Sequence, residues 1–234
     1  MQFDAIGATQ EFACGLQPNQ AIRCWGAGNA TRVGPYTGMA TGRLHVCGQK
    51  ADRIECWSYL PGVAGLTITG EFDGIAMGDN DLVCGIRTVE RSVECYDISA
   101  SAGGWSGPWI QSPYGVDFGQ VSAGGAVCGL RSDSRAQCFS GLSAAPPTFN
   151  DFQEIATGAN FACAIRSTGA VVCWGDNSDG QLNVPSGTYV ELTAFGEGIC
   201  GVKTNGTVTC WGRSVFGNLS PPAGVVLRLN SDDE

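Results

Sequence analysis

Histidine is all but missing from this chain: His45 is the only one among 234 residues. A serine or cysteine nucleophile needs a base beside it, so triad chemistry has a single place to stand. His45 falls in Arg43-Leu-His-Val-Cys47, a strand-like stretch beside a cysteine, where a satisfied structural histidine is the plainer reading. Lys and Arg are also few and scattered, 13 against 22 acidic residues, for a net charge of −9. A phosphate-binding surface works by clustering cations that release counterions, so neither nucleic acid nor anionic membrane is an expected partner. No apolar run reaches the ~18 residues of a membrane-crossing helix, and no membrane insertion by this segment is expected. The opening Met1-Gln-Phe-Asp-Ala-Ile6 lacks a basic region followed by an apolar core, so Met1 reads as the start of a mature or excised domain. A phosphate-cradling glycine loop leading into a helix is missing as well, despite 35 glycines.

Cysteine, by contrast, is abundant. The twelve cysteines come as six pairs: Cys14/Cys24, Cys47/Cys56, Cys84/Cys95, Cys128/Cys138, Cys163/Cys173 and Cys200/Cys210. Structural zinc takes two close pairs, usually with two to four residues inside each. Here eight to ten residues intervene. Local disulfides in an oxidising compartment fit better, which points to an extracellular or cell-surface location. No metal and no cofactor is expected.

The pairs belong to an internal repeat. Each unit opens with an aromatic followed three residues later by an aliphatic: Phe3/Ile6, Tyr36/Met39, Phe72/Ile75, Phe118/Val121, Phe152/Ile155 and Tyr189/Leu192. Small residues come next, then the first cysteine, usually followed by Gly or Ala and an aliphatic. An aromatic follows every second cysteine: Trp25, Trp57, Tyr96, Phe139, Trp174 and Trp211. First cysteines are spaced 33, 37, 44, 35 and 37 residues apart, which leaves room for a few short strands per unit and no more.

The fifth unit shows the plan. The alternation from Phe161 to Arg166 predicts a half-buried strand, Ser167-Thr-Gly169 a turn, and Ala170 to Trp174 an antiparallel return. With the turn midway, the cysteines face each other at about 4.5–5.5 Å, within disulfide reach. A small twisted sheet of this kind cannot hide both faces alone. Packing copies around a circle solves that, so the expected fold is an all-β propeller of about six blades, with seven as the alternative, and one local disulfide per blade. The recurrent aromatics, Trp174 included, then form the layers between blades rather than a ligand site. At the C-terminus, Pro222-Ala-Gly-Val-Val226-Leu-Arg-Leu229 repeats the opening strand without a cysteine hairpin. It is expected to close the ring at about residues 225–229, within one domain covering 1–234.

The string CAIRSTGAVVCWGDNSDGQL at Cys163 to Leu182 closely resembles the regulator of chromosome condensation repeat, a seven-bladed β-propeller family. Cys14-Gly-Leu … Cys24-Trp-Gly26 and Cys200-Gly-Val … Cys210-Trp-Gly212 are similar to its secreted, cysteine-paired branch, which includes bacterial repeat proteins and crinkly-type plant receptor kinase ectodomains. Cys138-Phe-Ser140 and Cys95-Tyr-Asp97 depart from the Trp-Gly form. The resemblance spans essentially the whole chain and implies an interaction scaffold. The nuclear founder engages chromatin and promotes nucleotide exchange, a bacterial relative inhibits β-lactamase, and the plant ectodomains act as receptor modules. The motif residues are structural, so no functional residue is carried over.

Chemistry must then be sought where a unit breaks the pattern. Between Cys95 and Phe118 stand 22 residues, against 11 to 15 in the other units. The extra length holds Trp105 and Trp109, the only tryptophans outside the repeat, and Tyr114. Long loops on rigid scaffolds often carry binding, and aromatics make good anchors. The plainer reading is that the tryptophans fold back over a blade edge. Asp79/Asp81 and Asp176/Asp179 lie in turn-rich loops, where Asp commonly caps its own backbone. Asp176-Asn-Ser-Asp179-Gly180 partly resembles a calcium loop but lacks the distal Glu. Sequons stand at Asn29, Asn205 and Asn218, with Asn205-Gly206 equally a turn pair. The expected function is a non-catalytic extracellular module that binds a protein or glycan through one loop face. The alternative is a self-assembling structural subunit of a surface layer, filament or appendage; an enzyme inhibitor ranks below both. The acidic tail Ser231-Asp-Asp-Glu234 reads as a solvated terminus.

Overall fold

The computed structural model describes residues 3–8, 12–26, 30–58, 65–78, 81–98, 110–142 and 144–213, and among them there are strands and turns but no α-helix. The closing segment expected at 225–229 and the acidic tail lie outside the described residues. The chain divides after Ala123 into two compact units.

The first unit holds three antiparallel sheets of four strands, each in sequence order. They are β1 (Ala5–Ala8), β2 (Phe12–Leu16), β3 (Ile22–Gly26) and β4 (Ala30–Arg32); β5 (Gly38–Thr41), β6 (His45–Gln49), β7 (Arg53–Ser58) and β8 (Leu66–Thr69); and β9 (Phe72–Met77), β10 (Leu82–Arg87), β11 (Val93–Asp97) and β12 (Ile110–Gln111). β13 (Phe118–Ala123) opens the fourth repeat and packs on β9 and β10. The second unit holds the hairpin β14 (Val127–Arg131) and β15 (Ala136–Ser140). Two three-stranded sheets follow it: β16 (Phe152–Thr157), β17 (Phe161–Arg166) and β18 (Val171–Gly175); then β19 (Tyr189–Phe195), β20 (Gly198–Lys203) and β21 (Val208–Gly212).

Every cysteine pair faces its mate across a hairpin, as Cys163 faces Cys173, and all six bridges form within their own hairpin. Cα separations of 3.9 to 4.0 Å belong to the close, non-hydrogen-bonded type of antiparallel pair. The backbone groups of the second cysteine therefore point away from its bridge partner's strand. In the first three sheets they meet an outer strand, with Cys24 opposite Ala30, Cys56 opposite Leu66 and Cys95 opposite Ile110. Those outer strands are an addition to the three per unit expected from the repeat.

Apolar clusters join successive sheets. One gathers Leu16 and Ile22 of the first sheet with Val46 and Trp57 of the second. Another gathers Ile54 and Ile68 with Phe72 and Val83. In the second unit Leu130 packs with Phe152 and Trp174, and Ile165 with Tyr189 and Trp211. Trp57, Trp174 and Trp211 thus fill layers between sheets, whereas Trp25 is 38% exposed; in the four units that carry a tryptophan the opening aromatic lies near it, as Tyr189 does to Trp211 at 5.7 Å. This packing explains the glycine after the first cysteine. A Cβ on Gly48 would come within 2.5 Å of the Tyr36 ring, and one on Gly201 within 2.6 Å of the Tyr189 ring. The glycine of Trp-Gly has a different cause: Gly175 has φ +108°, and a Cβ there would meet the Asn160 carbonyl at 2.5 Å.

Candidate functional site

The long third connection is anchored at its far end by the sheet it leaves. Ile110 and Gln111 pair with Cys95 and Glu94, making β12 the outer strand of the third sheet. Ser112 locks that register: its N–H donates to the Val93 carbonyl, and its Oγ accepts from the Val93 N–H, both at 2.9 Å. Beneath runs a polar cluster around Glu94, which is nearly buried. Arg87 Nε donates to its Oε2 at 2.6 Å, Tyr96 Oη at 2.8 Å, and Gln111 Nε2 donates to Oε1 at 3.3 Å. Burial, reinforced by Glu94, pushes the Tyr96 hydroxyl up to about 12. Tyr96 stays protonated and donating across the physiological range.

Beyond Ser112 the chain turns at Tyr114–Gly115, where Gly115 takes φ +77°, and the turn is tied down by the Arg91–Asp117 pair at 3.4 Å. Tyr114 is 96 % exposed, the most exposed large apolar side chain among the described residues. The structure therefore places one of the three expected contact residues on an anchored turn facing solvent. Trp105 and Trp109 lie outside the described residues. Asn29, Asn218 and Asp79 lie outside them too. Asn205 is exposed in its turn, with its side-chain oxygen accepting the Thr207 N–H at 3.0 Å.

His45 is buried, its Nδ1 3.3 Å from Asp81 Oδ2. Asp81 is also buried and has φ +55°, and its Oδ1 accepts the Leu44 N–H at 3.1 Å. Ser58, opposite His45 across the β6–β7 pair, donates from Oγ to the Leu44 carbonyl at 3.0 Å, and all twelve cysteines are bridged. The loop Asp176–Leu182 is organised by its own side chains. Asp176 Oδ1 accepts the Ser178 N–H at 3.2 Å, and Asn177 Oδ1 the Leu182 N–H at 2.9 Å. Hydrogen bonding from Ser178, outweighing some burial, holds the Asp176 carboxyl below its ordinary value. Among the described residues no cluster of His, Cys, Asp and Glu is arranged to hold a metal ion.

Two sets of residues escaped the sequence reading. Gln181 is fully buried, donating from Nε2 to Glu197 at 2.8 Å, while its backbone carbonyl accepts the Trp211 indole N–H at 2.9 Å. The other set stands three residues after each first cysteine: Lys50, Arg87, Arg131, Arg166 and Lys203, with Gln17 in the first unit. Four of these cations lie over aromatic rings, Lys50 on Tyr36 at 4.8 Å, Arg87 on Phe72 at 4.4 Å, Arg166 on Phe149 at 4.0 Å and Lys203 on Tyr189 at 5.5 Å. Carboxylates partner most of them, as Glu55 does Lys50 at 2.9 Å. Such recurrence marks the four ring-seated cations as scaffold, not a cation site for phosphate.

Residues 152–181 match the model of the Regulator of chromosome condensation (RCC1) repeat. No curated protein sequence matches the chain. Among solved structures, the CRINKLY WD40 ectodomain from the Arabidopsis thaliana receptor kinase ACR4 is 24% identical with a TM-score of 0.72, over 90% of this chain and 79% of that one. The entire ectodomain of the Physcomitrella patens receptor kinase CR4 is 20% identical with a TM-score of 0.71, over 91% of this chain. The match covers 62% of that ectodomain, so the present chain accounts for less than two thirds of its length. Prp20p from Saccharomyces cerevisiae is 11% identical with a TM-score of 0.66, over 89% of this chain and 71% of that one. These likenesses establish the fold as an all-β propeller of about six blades, each sheet a blade with its own disulfide.

Proposed function

We propose, from the premise that these repeats build a cysteine-paired propeller of the RCC1 type, that residues 1–234 form one non-catalytic extracellular module that binds a protein or glycan through a loop face. The observation that carries the reading is Tyr114. On a scaffold where three of the four repeat tryptophans, Trp57, Trp174 and Trp211, are buried and Trp25 is 38% exposed, it stands 96 % exposed at the anchored end of the longest connection. Trp105 and Trp109 precede it in the same connection and are the natural further anchors. Six disulfides support an oxidising location. Two of the similar structures are receptor kinase ectodomains, which supports a receptor-like binding role. Among the described residues no helix is long and apolar enough to cross a membrane.

The test screens the protein against a glycan array and a panel of extracellular proteins, beside a variant carrying Trp105→Ala, Trp109→Ala and Tyr114→Ala. The expected result is a ligand bound by the native chain and lost in the variant, with disulfides and melting temperature unchanged. A well-folded variant that binds as the native chain does would remove the loop face from the account.

A further inference from the structure

The fourth sheet ends at β15 with no outer strand beside it among the described residues. Cys138 lies opposite Cys128 with Cα atoms 3.9 Å apart, the non-hydrogen-bonded spacing, so its N–H and C=O point away from β14. Ala136, two residues earlier and opposite Leu130, has the same phase. Both turn backbone groups to the open edge, where no partner stands among the described residues. In the first three sheets this position is filled by the protein's own β4, β8 and β12. Here the following segment carries Pro146-Pro147, which have no N–H to donate, and 144–150 forms no strand. Between that segment and the edge opens a cleft of about 420 Å³, lined by Arg131, Arg135, residues 136–138, Pro146, Pro147 and Thr148. Its charged lining residues are both arginines. They share one carboxylate, Asp133, at 3.1 and 3.3 Å, which leaves most of their five N–H donors each over.

We propose that β15 is a docking edge for an extended, acidic segment of a partner protein, which adds as the fourth strand of this sheet. A row of unpaired N–H and C=O groups is a template for strand addition. The other blades show that the fold accepts a strand in this place. Alternating carboxylates on the incoming segment would meet Arg131 and Arg135, and charge-assisted pairs of this kind fix register as well as adding affinity. β18 also lacks an outer strand among the described residues, but the cleft with its two arginines distinguishes β15. The edge belongs to the second unit and Tyr114 to the first, so this inference and the loop-face reading stand or fall separately.

The test titrates the full chain with an acetylated, amidated heptapeptide alternating glutamate and valine, read by calorimetry and by amide NMR shifts. Controls are the lysine-valine peptide and the glutamate peptide N-methylated at alternate amides. The glutamate peptide should bind and shift the Ala136 and Cys138 amides, with both controls weaker by about tenfold or more. Arg135→Glu, in an exposed turn, should weaken binding by about tenfold at unchanged melting temperature. Ala136→Pro should do the same by deleting one outward donor, since proline is accepted where an edge N–H faces solvent. Absence of shifts at Ala136 and Cys138 would overturn the proposal, as would binding indifferent to N-methylation or to Arg135→Glu. A dimer broken by Ala136→Pro would also overturn it, because the occupant would then be a second copy of the chain.

Discussion

The first three sheets and the hairpins of the second unit are built on one plan and finished differently. In the first unit each cysteine hairpin is flanked by an outer strand, so β3, β7 and β11 are bonded on both sides. In the second unit β15 and β18 are bonded on one side among the described residues. The same staple serves both. The difference shows that the disulfide, rather than the outer strand, is the indispensable part: Cys163 and Cys173 hold a hairpin that has no fourth strand beside it among the described residues. It also shows where variation is tolerated, namely outside the second cysteine.

The largest expected effect tests that division. Cys163→Ala with Cys173→Ala should cost about 3 kcal/mol in urea unfolding, and the matching removal of Cys47 and Cys56 should cost less, because β8 still holds β7. Equal losses would mean that outer strands add nothing. Next comes backbone geometry. Gly175→Ala forces φ +108° on a residue whose Cβ meets a carbonyl at 2.5 Å, and should cost about 2 kcal/mol. Gly115→Ala, at φ +77° with open space around it, should cost about 1 kcal/mol, measured by the same melts.

Two carboxylates carry the comparison into pH dependence. Burial opposes the Glu55 charge, but hydrogen bonds from Lys50, Arg53 and Tyr36 outweigh it and hold its pKa down to about 2 from the ordinary 4.5. A depressed folded value contributes stability above pH 4.5 that is lost as pH falls toward 2. Glu55→Gln should therefore cost about 1–2 kcal/mol at neutral pH and flatten that acid limb. Glu154, in the second unit, has its pKa raised by burial, partly offset by the Leu192 N–H it accepts at 2.7 Å. The folded state then takes up its proton first, so acidification through the window just above 4.5 should stabilise. Glu154→Gln should remove that rise, and a pH series of melting temperatures checks both signs. The smallest effect is Tyr114→Ala, which should move stability by less than about 0.5 kcal/mol.

How much of this was legible follows from which features are local. Cysteine pairing, the turn at Ser167-Thr-Gly169 and the antiparallel return in β18 could be read because each is set within ten residues. The layers between sheets could be read because Tyr36, Phe152 and Tyr189 recur in phase with Trp57, Trp174 and Trp211. The outer strands could not: Ala30–Arg32 and Ile110–Gln111 are too short to show a period and form because a neighbouring edge offers partners. Gln181 gave no sign because one buried amide between repeats has no sister positions to compare. The cations three residues after each first cysteine did carry a signal, five of six, and comparison of the units at that column would have found them. Of the expected contact residues, Tyr114 is seen on its exposed turn, while Trp105 and Trp109 lie outside the described residues.

Amide hydrogen exchange of the second cysteines tests the central division most directly. Outward-pointing Cys24, Cys56 and Cys95 have strand partners, and Cys138 and Cys173 have none among the described residues. The first three amides should exchange slowly and the last two near the rate of an unprotected peptide. Equal protection at all five would contradict the account, because the open edges of the second unit would then be closed in solution.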